Sequence, residues 1–374
     1  MIVDSHAYCF LSAGSDRGYS SGSEHLRWVQ SSHANHHQPA FRVNDRVEGL
    51  SNVLAPYGRD LENLPDLGFR VDTERGRVAW EYQGEQYTKH FYPPNLYDCK
   101  FSPHSLIGEM DYAGVDVALL HTDPMLVRDS TYLAECIALY PERLIAMAPV
   151  DEWRLRDEPD KVIEEVVTAV KVNGLHAIKF NPLGYMVSNE AWDGGFYSSF
   201  WDAVTGLGVP IFFTLGTGPE SPSITPGIQG ERDGYINELN ILMRWMERYP
   251  DTICSLTHGF PWRTFLEGSR IVLPPDVWEP FKGDNCNLEL CFPVRIGDIF
   301  DFPYSEVWPT VAEMVRNIGA DHLLWGTDMP FQNRFCTYRQ SRKWIEKFCD
   351  FLGDDELDLI MGQTASRILG IKSL

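Results

Sequence analysis

Asp4-Ser5-His6 sets a carboxylate and an imidazole two residues apart. In an extended strand the side chains of residues i and i+2 leave the same face, so this pair is expected to point at one place. Far along the chain, Asp328 follows the apolar run Leu323-Leu324-Trp325. Two carboxylates and an imidazole converging on one point suit a divalent cation, Zn²⁺ first, with Mn²⁺ or iron as alternatives. The metal ligands expected are therefore Asp4, His6 and Asp328. Each also has a plainer reading. His6 alone could be a hydrogen-bonded structural histidine, and Asp328 could cap a helix ahead of Met329-Pro330.

His258 sits in Thr257-His258-Gly259-Phe260-Pro261-Trp262, directly after an apolar run. Imidazole titrates near neutrality, so His258 could act as general acid or base, as a ligand, or as a donor to substrate. Arg263 could clamp a substrate carboxylate in a two-pronged ion pair. Lys179 could be a base or, if carbamylated, a bridging ligand; an ion pair with a carboxylate is the plainer reading. Glu289 faces either a lumen or a helix layer. His25, His33, His36 and His37 resemble a metal-binding tract in composition, yet lack cysteines and finger spacing, and read as a solvated loop.

These residues need elements to position them. Eight short apolar runs read as strands: 1–5, 115–121, 144–150, 175–180, 209–214, 253–257, 287–292 and 322–326. After residue 105 most alternate with amphipathic helical patterns, the strongest at 235–249. Buried strands alternating with helices predict a parallel sheet, and eight of them predict a closed (β/α)8 TIM barrel of the α/β class. An open doubly wound sheet is the competing fold, but no Gly-rich nucleotide loop follows the first strand. In a barrel the chemistry gathers at the C-terminal strand ends. Those ends carry Asp4 and His6, His121 and Asp123, Asp151, Lys179 and Asn181, Thr214, His258, Glu289 and Asp328. Residues 9–103 are polar, aromatic and Gly-rich. Turn signals at Arg75-Gly76 and Gln83-Gly84 mark them as a partly β insertion. The expected organisation is a first strand over 1–8, an insertion lobe over 9–103, and the rest of the barrel over 104–374.

Composition narrows the function. The chain has 374 residues, 53 Asp and Glu against 32 Lys and Arg, and a formal net charge of −21. That field repels phosphate backbones and anionic membranes, so neither nucleic acid nor a membrane is an expected partner. No apolar run is long enough for a membrane span. The eight cysteines are scattered with no CxxC pair, and the first residues lack a signal-peptide pattern, so a cytoplasmic location is expected.

Met110-Asp111-Tyr112-Ala113-Gly114-Val115-Asp116, residues 174–182 (GLHAIKFNP), His258-Gly259, the run Leu324 to Phe331 (LWGTDMPF) and Thr364-Ala365-Ser366-Arg367 join the first strand in one pattern. It resembles the amidohydrolase-related TIM-barrel family, in the branch containing aromatic-acid and aminocarboxymuconate-semialdehyde decarboxylases. The resemblance implies a metal at the barrel mouth, held by the first-strand motif, a fifth-strand His and Asp328, with His258 catalytic. The first strand fits in two registers. Either Asp4 and His6 are both ligands, or His6 is the first of a His-x-His pair whose second member has become Tyr8. The fifth strand departs from the pattern, ending in Thr214-Leu215-Gly216 without a histidine; His121 or His176 could substitute.

The reaction expected is metal-dependent decarboxylation, or related lyase chemistry, on a small, often aromatic, carboxylic acid. The catalytic residues would be His258, Asp328 and Arg263. The alternatives are a metal-dependent hydrolase of a lactone or amide, and a subunit of a hetero-oligomeric oxygenase whose paralogous chain carries the full metal site. The expected partners are accordingly a carboxylate substrate and either further copies of this chain or such a paralogue.

Overall fold

The structure is a computed structural model that describes residues 1–57, 60–182, 190–216 and 228–372. The chain divides into two compact units. One comprises Met1–Ala7, Glu109–His121 and Ser130–Leu374; the other comprises Tyr8–Gly108 with Thr122–Asp129.

The first unit is an eight-stranded parallel barrel. Its strands are β1 (Val3–Ala7), β2 (Val117–Leu120), β3 (Leu144–Ala148), β4 (Ala177–Phe180), β5 (Ile211–Phe213), β6 (Cys254–Leu256), β7 (Cys286–Leu290) and β8 (Leu323–Trp325). They pair in that order. β1 meets β8 through a bridge between Ala7 and Met329 and a bond from Asp328 N to His6 O of 2.8 Å. All eight expected strands are present, each buried on both faces as the strands of a parallel sheet are. Val3, Val117, Leu119, Met147, Phe212 and Leu324 fill the lumen, and Ala365, Ile368 and Leu369 of the C-terminal helix Thr364–Leu369 pack against them. The lumen is thus a packed core, and its polar residues lie toward the other end of the strands.

Strand β1 departs from the regular alternation expected of it. Its ladder to β2 slips between Asp4 and Ala7. An irregularity of this kind re-aims side chains, so the two-residue period no longer holds across Asp4 and His6.

The second unit contains a five-stranded antiparallel sheet in the order 48–49, 40–42, 85–89, 77–82, 70–72. Tyr82 and Glu85 are joined by Gln83 and Gly84 at φ 53° and 79°. Two consecutive positive φ values make the two-residue hairpin turn that favours glycine. The histidine tract is a solvated loop only at its end, where His37 is exposed. His25 and His33 lie on a helix, Gly22–Asn35, and both are buried. The His25 ring meets Ser15 O and Met125 O, and His33 Nδ1 meets Val29 O at 2.7 Å. The buried Lys89 ammonium donates to His33 O (2.7 Å), His36 O (2.5 Å) and Ser51 Oγ (3.0 Å), satisfying carbonyls at the end of that helix. Lys89→Met strands one buried carbonyl and two partly buried acceptors. It is expected to cost about 2–5 kcal/mol, read as earlier urea unfolding and faster proteolysis of this unit.

All eight cysteines are buried and none forms a disulfide. No helix among the described residues is long and apolar enough to cross a membrane.

Candidate metal centre

Three side chains from three strand ends meet at the barrel mouth: His6 on β1, His258 just after β6 and Asp328 just after β8. Asp328 Oδ1 lies 3.4 Å from His6 Nε2 and 3.7 Å from His258 Nε2. Those gaps are long for hydrogen bonds. They are close to the roughly 3.4 Å that separates two ligand atoms on a tetrahedral ion with bonds near 2.0–2.1 Å. The donors therefore fit a divalent cation. The His6 side chain is fully buried, whereas His258 and Asp328 keep 16% and 14% exposure, so the open side of the cluster lies on their side.

The backbone holds these donors in unusual conformations. His258 has φ 64° and Asp328 φ 61°, both left-handed and uncommon for residues other than glycine. The His258 peptide is pinned at both ends: its N–H donates to Glu289 Oε2 (2.7 Å), and its carbonyl accepts from Trp262 Nε1 (2.9 Å). Asp328 N–H donates to His6 O, and the Asp328 carbonyl accepts from Phe331 N at 2.7 Å. Its carboxylate is thus not the helix cap considered above; the backbone carbonyl closes that turn instead. Strained conformations held this firmly are typical of functional sites.

Beneath the three donors lies a buried polar floor. Glu289 points into the lumen, which settles the open orientation of that residue. Its Oε2 is 2.9 Å from His6 Nδ1, and its Oε1 accepts from Ser5 Oγ at 3.1 Å. His121 stacks on His6 with ring centroids 3.5 Å apart. Its Nε2 is 2.8 Å from Ser5 O, and its Nδ1 is 3.2 Å from Lys179 Nζ. His6, His121 and Glu289 form a second group that could hold an ion. At the fifth strand Thr214 pairs its hydroxyl with that of Thr257 at 2.7 Å, and no imidazole stands there. His176 precedes β4, at the opposite end of the strands from the cluster.

Burial governs the charge states. It lowers the His6 pKa well below the ordinary value, and the neighbouring His258 adds to the effect. Burial likewise lowers His258, against the pull of Asp328. For Asp328 burial acts upward, but His258 and His6 beside it outweigh that and hold the carboxyl below the usual range. A lowered imidazole pKa and a lowered carboxyl pKa both favour the forms that bind a cation. Burial pushes Glu289 up to about 7, opposed by His258 and by the bonds it accepts.

Asp4 does not join the cluster. Its Oδ1 accepts from His6 N (3.0 Å) and Thr327 N (3.1 Å), and its Oδ2 from Thr327 Oγ1 and Tyr338 Oη, both at 2.6 Å. Four donors occupy the acceptor sites of a carboxylate. The slip in β1 is the physical reason: it sends Asp4 toward Thr327 and Tyr338 while His6 turns to the mouth. Burial raises Asp4 to about 7, and the bonds from Thr327, Tyr338 and His6 N–H oppose that rise.

Arg263 is engaged elsewhere. Its Nε donates to Arg295 O (3.1 Å) and its guanidinium pairs with Asp298. Two arginines not singled out from the sequence act on the cluster instead. Arg295 is among the charges felt by His6 and His258, and Arg334 is among those felt by Asp328. Both follow the ends of barrel strands, Arg295 after β7 and Arg334 after β8. Reading the segments beyond each strand end would have flagged them.

Comparison with known proteins fits this architecture. The amidohydrolase family model matches residues 95–371. Among solved structures, 2,6-dihydroxybenzoate decarboxylase from Rhizobium superposes with a TM-score of 0.53 at 21% identity, covering 71% of this chain and 88% of its own. A probable 2-pyrone-4,6-dicarboxylic acid hydrolase from Acinetobacter baumannii, solved with citric acid bound, gives 0.52 at 16% identity, covering 72% and 90%. An uncharacterized TIM-barrel protein from Bordetella bronchiseptica gives 0.52 at 16%, covering 72% and 82%. At such identities the likeness is one of fold. No curated protein sequence matches the chain.

Proposed function

The chain belongs to the amidohydrolase family, and from that premise we propose that it is a metal-dependent decarboxylase of a small carboxylic acid, with the ion held by His6, His258 and Asp328. The observation that carries this reading is the convergence of His6 Nε2, His258 Nε2 and Asp328 Oδ1 at the barrel mouth. A bound divalent ion would supply a Lewis acid and a template for the substrate's carboxylate and a neighbouring oxygen. Zn²⁺ suits the donor set of two imidazoles and one carboxylate.

The chain's own residues divide the remaining work. His6, buried behind the other two, fixes the floor of the site. His258 and Asp328, at its open side, bound the space where substrate enters. Arg295 and Arg334 add positive charge near the same rim, which favours an anionic substrate against a global charge of −21. His258 thereby becomes a ligand in this reading rather than a proton carrier, and Arg263 braces the segment that carries Arg295.

A second reading is favoured by the donor set itself. Two histidines and one carboxylate with open positions also suit Fe²⁺ in oxygen-using enzymes, and the chain has no fifth-strand histidine. A subunit of such an oxygenase remains the competing proposal, and hydrolysis of a lactone or amide is the other.

Elemental analysis of the purified chain is expected to give about one metal ion per chain, with zinc dominant. Activity is measured on a panel of hydroxylated aromatic and unsaturated carboxylic acids. CO₂ release supports decarboxylation, ¹⁸O entering product from labelled water signals hydrolysis, and iron with O₂ consumption signals the oxygenase. Metal content near zero sinks the proposal. Removing the ion with a chelator is expected to abolish activity and lower the melting temperature, both restored by Zn²⁺. At 100-fold excess over the dissociation constant the ion contributes about 2.7 kcal/mol of stability.

A further inference from the structure

We propose that Glu289 is the positioning residue of this centre, holding both imidazole donors with a single carboxylate oxygen. The inference rests on the reading of His6, His258 and Asp328 as the metal site. Glu289 Oε2 lies 2.9 Å from His6 Nδ1 and 2.7 Å from the backbone nitrogen of His258. Oε2 already accepts the N–H of residue 258, and as an acceptor it takes the Nδ1 proton of His6 as well. That arrangement leaves the lone pair of His6 Nε2 for the ion. The same oxygen ties down the peptide of residue 258 in its left-handed conformation, φ 64°. Oriented imidazoles of this kind bind metal more tightly than free ones.

The remaining contacts show why Glu289 supports the site rather than forming a second one. Its Oε1 accepts from Ser5 Oγ at 3.1 Å, so both oxygens are engaged. His121, the third member of the deeper group, already meets Ser5 O through Nε2 and Lys179 Nζ through Nδ1. An ion placed there would have to break these bonds. The fold also makes room for this arrangement. A Cβ on Gly326, beyond the end of β8, would come within 2.9 Å of Ser5 Oγ, 3.1 Å of His6 Cβ and 3.5 Å of Glu289 Cδ. Glycine lets the last strand close over the carboxylate that serves the first and sixth.

The test uses the full chain and two substitutions, Glu289→Gln and Ser5→Ala, titrated with Zn²⁺ against a competing chelator and with Co²⁺ as a visible probe. Glu289→Gln keeps the shape but replaces one acceptor oxygen with an amide group that only donates. It is expected to weaken Zn²⁺ binding by about 10- to 100-fold and to shift the Co²⁺ absorption bands. Ser5→Ala touches no donor and removes one bond to Oε1; it is expected to weaken binding several-fold in the same direction. A purely structural role for Glu289 would lower stability yet leave the Co²⁺ spectrum unchanged. If Glu289→Gln does not fold, Ser5→Ala decides. Wild-type affinity and spectrum in the deciding variant overturn the inference, while wild-type protein that takes up neither ion overturns the metal centre itself and the inference with it.

Discussion

Asp328→Asn is expected to strip the protein of its metal and of its activity while leaving the barrel folded. Asparagine keeps the volume of aspartate and tolerates the left-handed conformation that residue 328 adopts at φ 61°. The backbone bonds to His6 O and from Phe331 N do not involve the side chain, so closure between the first and last strands survives. What disappears is the anionic donor 3.4 Å and 3.7 Å from the two imidazole nitrogens. Structural zinc sites in finger peptides bind their ion with about 10–16 kcal/mol. Losing one of three donors is expected to remove about 4 kcal/mol, near a thousandfold in affinity. The measurement pairs metal stoichiometry with circular dichroism and turnover. Wild-type metal content with intact turnover would take Asp328 out of the site.

His258→Asn separates two roles for the sixth-strand imidazole. As a proton carrier, His258 could be lost with the ion still in place; as a ligand, it takes the ion with it. The distances favour the ligand, since its Nε2 shares Asp328 Oδ1 as a neighbour with His6 Nε2. Asparagine again suits the positive φ, and the peptide bonds to Glu289 and Trp262 remain available. The expected result is a fall of at least about a hundredfold in metal affinity, on the same basis of one donor in three, together with loss of turnover. A variant that is inactive but fully loaded returns His258 to acid–base work and leaves the ion on His6, Asp328 and a further group.

Much of this was legible in the order of residues, for reasons that particular elements make plain. The eight barrel strands announce themselves because a strand covered on both faces must be apolar throughout, as in Ile211-Phe212-Phe213 or Leu144 to Ala148. His6, His258 and Asp328 were legible because barrel chemistry gathers at strand ends. Asp4 leaves the expected cluster because β1 is not a regular strand, and one slip in the ladder reverses which face a residue occupies. The direction of Glu289 depends on register between neighbouring strands, which a single strand's own residues do not state. The helix Gly22–Asn35 was hidden because its buried face includes His25, Gln30, Ser31 and His33. Their polar character erases the apolar stripe by which a helix is recognised. Arg263 illustrates the opposite error: a promising charge near a catalytic motif already had a carboxylate of its own in Asp298.

The seam between the opening and closing strands has a consequence for biosynthesis. Asp328 N–H bonds to His6 O, and Thr327 Oγ1 reaches the same carbonyl across 321 positions of sequence. Two donors of the centre, one on β1 and one just after β8, thus leave the ribosome with strands β2 to β8 made between them. Contacts so distant form late and slowly. A nascent chain stalled before residue 328 would therefore have no complete cation-binding cluster, and the ion would be captured only after translation has passed the final strand.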